Sequence, residues 1–178
     1  PDMRRLAKVM NFGIIYGLSA HGVSQQTEMD LHQAAEFIEG YLGRYPGIRD
    51  YIEATKRLAR EQGYVETILG RRRYIPEINQ PNFQVRQAAE RMAINMPVQG
   101  TGADIIKVAM VRIHERMKEQ GLRSRMLLQV HDELIFEVPP QEMDSMKALV
   151  LELMPAAADM AVPLKVELKV GPTWGDLE

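Results

Sequence analysis

Arg125-Met126-Leu127-Leu128-Gln129-Val130-His131-Asp132-Glu133-Leu134-Ile135-Phe136-Glu137-Val138 is the stretch that takes this chain out of the all-helical class. It reads as two apolar strands, Arg125–Val130 and Glu133–Val138, separated only by His131 and Asp132. Tight hairpins favour Asn-Gly, Asp-Gly or Gly-X, and His-Asp is none of these. Poor turn chemistry at this point suggests that the side chains themselves are wanted there. A rigid strand pair would hold Asp132 at the sheet edge, able to present a hard oxygen ligand to a cation such as Mg²⁺. The plainer reading is a surface turn with incidental acids.

Downstream, Pro140–Met154 returns to helical spacing, and Leu164–Val170 alternates as a strand that would extend the sheet. Upstream, Phe83 to Gln120 is helical in spacing but interrupted by Pro97, Gly100 and Gly102. Because an interior proline costs roughly 3 kcal/mol, the spacing predicts two helices with a break at Pro97. Asp104 and Asp144 fall in helical patterns. Tyr64–Leu69 and Arg72–Ile75, around Gly70 and Arg71, predict a short basic hairpin. Pro46 suits the first turn of a helix ending before Gly63. Asp30 and Gln33 form a capping box for a helix through about Leu42, and a short helix precedes it around 20–27. The first helix spans residues 3–17, with Asp2 as N-cap and Gly17 as terminator. The expected class is α/β (α+β): a small antiparallel sheet of hairpin plus terminal strand packed on helices, with a helical portion in front.

The 178 residues suit one domain, or one and a fraction, and 46% hydrophobic with 26% charged content is ordinary for a globular protein. No cysteine is present, which excludes disulfides and thiolate metal sites. No apolar run approaches the ~18 residues of a membrane span, and no signal peptide is visible. A chain that opens on Pro1 reads as cut from something longer. Net charge is −2, but residues 1–23 carry +2, 24–43 carry −4, 44–91 carry +4 and 92–178 carry −4. Positive charge thus gathers in two segments, as a locally basic binding face requires, or as uneven surface charge would give.

Arg4, Lys8, Phe12 and Tyr16 recur every four residues, a stripe ~18 Å long on a helix at ~1.5 Å per residue. Two cations lie near the N-terminus, where the macrodipole also favours phosphate, and two rings follow where a base could stack. Gly13 sits mid-helix at a cost of ~1 kcal/mol, as if something approached the backbone there. The plainer alternative buries Phe12 and Tyr16 in a core and leaves the basic residues solvated. Arg91, Asn95 and Gln99 are also four apart. Minor-groove acceptors are much alike for every correct base pair, so donors on such a ridge could test pair geometry without reading sequence. A solvated helix face explains the same spacing. Arg71, Arg72 and Arg73 could grip phosphates or stay solvated, and the latter reading is favoured.

Arg4-Arg5-Leu6-Ala7-Lys8-Val9-Met10-Asn11-Phe12-Gly13-Ile14-Ile15-Tyr16-Gly17 resembles motif B of family A DNA polymerases, RRxxKxxNFGxxYG, without a departure. Val130-His131-Asp132-Glu133 resembles the family's motif C, and residues 91–101 resemble a segment between its palm helices. The resemblance implies that Arg4 and Lys8 bind the triphosphate of an incoming nucleotide, that Phe12 packs on its sugar and base, and that Tyr16 borders the templating position. Asp132 would be one of two aspartates holding a pair of Mg²⁺ ions, with Glu133 an auxiliary acid. His131 would lie near the primer terminus, and Arg91, Asn95 and Gln99 would contact primer–template DNA. Lys8 could also donate a proton to departing pyrophosphate.

By the same resemblance, residues 1–82 would form a fingers portion and 83–178 a palm portion of a bacterial, cytoplasmic enzyme. The family's motif A, which carries the second metal-binding aspartate, and its thumb are absent from this sequence. The isolated chain is therefore expected not to extend primers. Its sheet is expected to show an open edge suited to association with the missing N-terminal part, or with itself. Two other functions compete: a non-catalytic primer–template binding fragment, and a metal-dependent nuclease built on His131, Asp132 and Glu133. The cationic aromatic helix has no use in the nuclease.

Overall fold

The computed structural model describes residues 2–177. Six helices and two antiparallel hairpins make an α+β fold among them: α1 (Asp2–Ile15), α2 (Ala20–Ser24), α3 (Leu31–Arg44), α4 (Pro46–Gln62), β1 (Tyr64–Glu66), β2 (Arg72–Tyr74), α5 (Phe83–Glu119), β3 (Arg125–Val130), β4 (Glu133–Glu137) and α6 (Met143–Leu153). Short 3-10 turns punctuate the rest. No helix among the described residues is long and apolar enough to cross a membrane. The chain divides into two compact units that meet at Thr101 and Gly102.

Local signals set most element ends in the first unit. The cap expected of Asp2 rests on a side chain outside the described residues. Gly17 ends α1 with φ +78°, a conformation that costs a side chain roughly 1–2 kcal/mol and glycine nothing. Asp30 and Gln33 close both halves of a capping box on α3, at 2.8 and 3.0 Å. Pro46 opens α4 and Gly63, at φ +79°, closes it. Met10, Val23 and Ala34 bury α1, α2 and α3 against one another. Ala59, Val65, Ile75, Ile78, Ala89, Ala93 and Met96 do the same for α4, the β1–β2 hairpin and the start of α5.

Helix α5 runs unbroken through Pro97, so the expected break does not occur. Proline removes the N–H that would bond the Ala93 carbonyl and crowds the preceding turn. Ala93, Ile94 and Met96 are nonetheless all buried, and fully burying a large apolar side chain is worth roughly 1.5–3 kcal/mol. Two such side chains offset the proline. The Tyr51 hydroxyl also donates to the Ile94 carbonyl at 2.7 Å, adding a hydrogen bond inside the disturbed turn. Gly100 is no breaker either. A Cβ there would lie 2.7 Å from Thr67 Cγ2, so the glycine lets α5 close on the β1–β2 connection.

In the second unit Ile113, Met117, Met146, Leu149, Val150 and Leu153 form the core, and Met126, Leu134 and Phe136 of the hairpin pack against it. The register pairs Val130 with Glu133, Gln129 with Leu134, Leu128 with Ile135, Met126 with Phe136 and Arg125 with Glu137, leaving Leu127 as a bulge. Glu142 pins the approach to β3, accepting from the Arg123 and Ser124 amides at 2.8–3.0 Å and from the Ser124 hydroxyl at 2.6 Å. The Ser124 hydroxyl, followed by the amides, holds this carboxyl below its ordinary range.

The expected terminal strand is absent: Leu164–Val170 pairs with no strand among the described residues. Its alternation survives only at the start, with Leu164 and Val166 half-buried, Lys165 and Glu167 exposed and Val166 packed on the core, whereas Leu168 and Val170 are exposed. Alternation records which side of a segment meets the protein. It carries no information on whether another strand lies alongside.

Candidate functional site

On α1, Arg4 and Lys8 are exposed and Phe12 is 50% exposed, while Met10 and Ile14 on the other side are 5% and 2% exposed. The helix thus turns Met10 and Ile14 inward and leaves the cation–aromatic stripe on the surface. Phe12 is not a core residue. Its ring stacks on that of half-buried Tyr16, with centroids 6.3 Å apart and planes at 24°. What approaches the backbone at Gly13 is Leu18 of this same chain: a Cβ there would lie 2.7 Å from Leu18 Cδ2, and the Leu18 amide bonds the Gly13 carbonyl at 2.7 Å.

The stripe ends against α5. A Cβ on Gly17 would meet Ile94 Cδ1 at 3.2 Å and Arg91 Cγ at 3.4 Å, so the aromatic end of α1 rests where the Arg91–Asn95–Gln99 ridge begins. Arg91 is half-buried and donates to Gln87 Oε1 at 3.3 Å. Asn95 is half-buried, and its Oδ1 is buried without a donor among the described residues. An unsatisfied buried acceptor costs about 1–3 kcal/mol. Gln99, beyond Pro97, remains on the same helix and is exposed.

Sequence reasoning missed Tyr51. On amphipathic α4 a tyrosine carries no periodic signal. Only Pro97, which disturbs the carbonyls of the turn before it, hints that a donor is useful there. Burial first, then the neighbouring Tyr16, raises the Tyr51 hydroxyl above its ordinary pKa, against an opposing hydrogen bond with Thr55. The basic hairpin is more engaged than a solvated tip. Arg72 bonds Glu66 at 2.6 Å and lies 4.6 Å over the Tyr64 ring, and Arg73 reaches Met92 Sδ at 3.1 Å.

In the second unit the β3–β4 turn exposes His131, Asp132 and Glu133 together. His131 adopts φ +55°, a left-handed conformation without glycine. Such a residue costs roughly 1–2 kcal/mol, so the turn is held in place by its strands. Gln129 supports it by donating Nε2 to the His131 carbonyl at 3.0 Å. Among the described residues no three His, Cys, Asp or Glu side chains converge as a metal cluster. A carboxylate at Asp132 suits a hard divalent cation as one ligand, while a full coordination set needs oxygens from elsewhere. A concavity lined by Pro155, Met160 and Leu164, among others, holds none of the expected site residues.

A family model described as DNA polymerase family A matches residues 1–176. The chain is 51% identical over 176 residues to DNA polymerase I of Bacillus caldotenax, covering 99% of this chain and 20% of that protein. It is 51% identical over 174 residues to the thermostable DNA polymerase I of Thermus thermophilus, covering 98% of this chain and 21% of that one. The chain therefore spans about a fifth of the length of these relatives. The polymerase domain of Pol1 from M. smegmatis, solved with DNA primer–template and dNTP, superposes with a TM-score of 0.88 at 50% identity. The match covers 93% of this chain and 29% of that one.

Proposed function

Because this chain belongs to DNA polymerase family A, we propose that it forms the C-terminal part of a DNA-directed DNA polymerase, with fingers residues 1–82 and palm residues 83–178. The observation that carries the reading is the α1 surface, with Arg4 and Lys8 exposed and Phe12 left out of the core to stack on Tyr16. A solvated helix has no reason to expose a phenylalanine in line with two cations.

Arg4 and Lys8 neutralise the triphosphate of the incoming deoxynucleotide, and Lys8 protonates the departing pyrophosphate. Phe12 packs on the sugar and base, and Tyr16 borders the templating position. Arg91, Asn95 and Gln99 donate to minor-groove acceptors of primer–template DNA, and His131 approaches the primer terminus. Asp132 is one of two aspartates that hold Mg²⁺, and Glu133 assists it. Bound there, a metal pair supplies Lewis-acid stabilisation of the attacking and leaving oxygens. By the family resemblance, the second aspartate and the thumb belong to a part of the enzyme outside this chain, and the enzyme acts on DNA in the bacterial cytoplasm.

One carboxylate cannot organise a two-ion site, so the isolated chain does not extend primers, alone or self-associated. It acts when joined to the upstream part. Primer extension with Mg²⁺ and four deoxynucleotides, with and without that part, tests this directly. In the joined enzyme Lys8→Ala and Asp132→Ala each slow incorporation by about 10²–10³, the usual cost of losing a positioned electrostatic group. Near-normal turnover in both variants removes the assignment. Salt-sensitive primer–template binding with no incorporation in the joined enzyme would favour the non-catalytic alternative.

A further inference from the structure

Tyr51 joins the three parts of the first unit that bear on the nucleotide and the duplex. It stands on α4, its hydroxyl donates to the Ile94 carbonyl of α5 at 2.7 Å, and Ile94 in turn sits under Gly17 at the end of α1. The bonded carbonyl lies between Arg91 and Asn95 of the ridge and shortly before Pro97, in the turn that proline deprives of its regular ladder. Ile94 is 2% exposed, so this turn has little freedom to slide as a whole. The burial of Ile94 also restrains rotation about the helix axis, and a hydrogen bond to its carbonyl adds to that restraint. Tyr16 immediately precedes Gly17, where an added Cβ would meet Ile94 and Arg91, so the aromatic end of α1 adjoins this same turn.

We propose that Tyr51 is a positioning residue that fixes the rotational setting of the Arg91–Asn95 turn against Tyr16, and so sets how strictly base-pair geometry is tested. The inference rests on the polymerase reading above. It touches neither substrate nor metal: Tyr51 acts only through α5 and α1.

The test is Tyr51→Phe, which keeps the ring and removes the bond. Two measurements are needed. In the 178-residue chain, hydrogen exchange at amides 94–96, 98 and 99 accelerates by about fivefold while exchange in α3 and α6 is unchanged. In a polymerase containing residues 1–178 with the upstream part of the relatives, extension of matched and mismatched primer termini is compared. The matched rate stays within about twofold, and the ratio of matched to mismatched rates falls about fivefold, the factor carried by about 1 kcal/mol at about 1.4 kcal/mol per decade. General destabilisation would lower the active fraction and move both rates together, leaving their ratio untouched. An unchanged ratio, or exchange that rises throughout the chain, overturns the role of Tyr51 and leaves the polymerase reading standing. A wild-type enzyme that cannot extend even the matched primer overturns the polymerase reading itself.

Discussion

The same glycine-to-alanine exchange, made two residues apart on α5, should change stability in opposite directions. Gly102 is exposed, and an added Cβ would meet nothing within 4 Å. Gly102→Ala therefore collects the intrinsic helix preference, a gain of up to ~1 kcal/mol. Gly100→Ala collects the same preference but puts its Cβ 2.7 Å from Thr67 Cγ2. Thr67 cannot swing aside freely. It is 5% exposed, and its Oγ1 accepts from the Arg71 amide at 3.1 Å. Nor can α5 back away easily, because Thr101 Oγ1 accepts from the Ile68 amide at 3.2 Å. Overpacking of this kind typically costs 1–3 kcal/mol, so the net expectation is a loss of about 1–2 kcal/mol. Thr67→Ser keeps the hydroxyl and deletes the offending methyl, so in that background Gly100→Ala should lose its penalty. Urea unfolding of the four variants, followed by circular dichroism, reads all three differences. The reasoning fails if Gly100→Ala stabilises as Gly102→Ala does, or if Thr67→Ser does not restore it.

Replacing His131 by glycine relieves the φ of +55° and should stabilise the β3–β4 hairpin by about 1 kcal/mol, while weakening use of the primer terminus in the joined enzyme. A melting temperature that fails to rise would contradict the strain argument. Glu142 has a lowered pKa in the folded state, so the stability it provides is present above its unfolded pKa and disappears as pH falls through the folded value. Glu142→Gln should therefore lower the melting temperature near neutral pH and converge with wild type in acid. A gap that widens in acid would refute it.

Much of this fold was legible because its signals are local. Asp30 with Gln33, Pro46 and Gly63 each act within a few residues, so their effects can be read without knowing what lies across the molecule. Pro97 misled for the opposite reason. Its cost is local, but the burial of Ile94 and Met96 and the reach of Tyr51 come from α4 and the hairpin, which spacing on α5 does not report. Leu164–Val170 misled because alternation encodes a buried side and is silent about ladder partners. In the candidate site the stripe from Arg4 to Phe12 was readable, since period four alone puts those residues on one side. Whether Phe12 faced outward or inward was not, and it depended on Met10 packing with Val23 of α2 and Ala34 of α3 and on Ile14 being buried. Gly13 signalled a close approach correctly, and the visitor proved to be Leu18.

The extra residue at Leu127 separates two jobs within the β3–β4 hairpin. Met126 and Phe136 below it and Leu134 above it hold the strands to the core, and the ladder runs on from there to the turn. A bulge bends and twists its strand, so it determines the heading of the Asp132 carboxylate without helping to anchor the base. Deleting Leu127 would leave all five cross-strand pairs available yet send that carboxylate along a different bearing. The residue that bends the strand is thus distinct from Met126, Leu134 and Phe136, which anchor it.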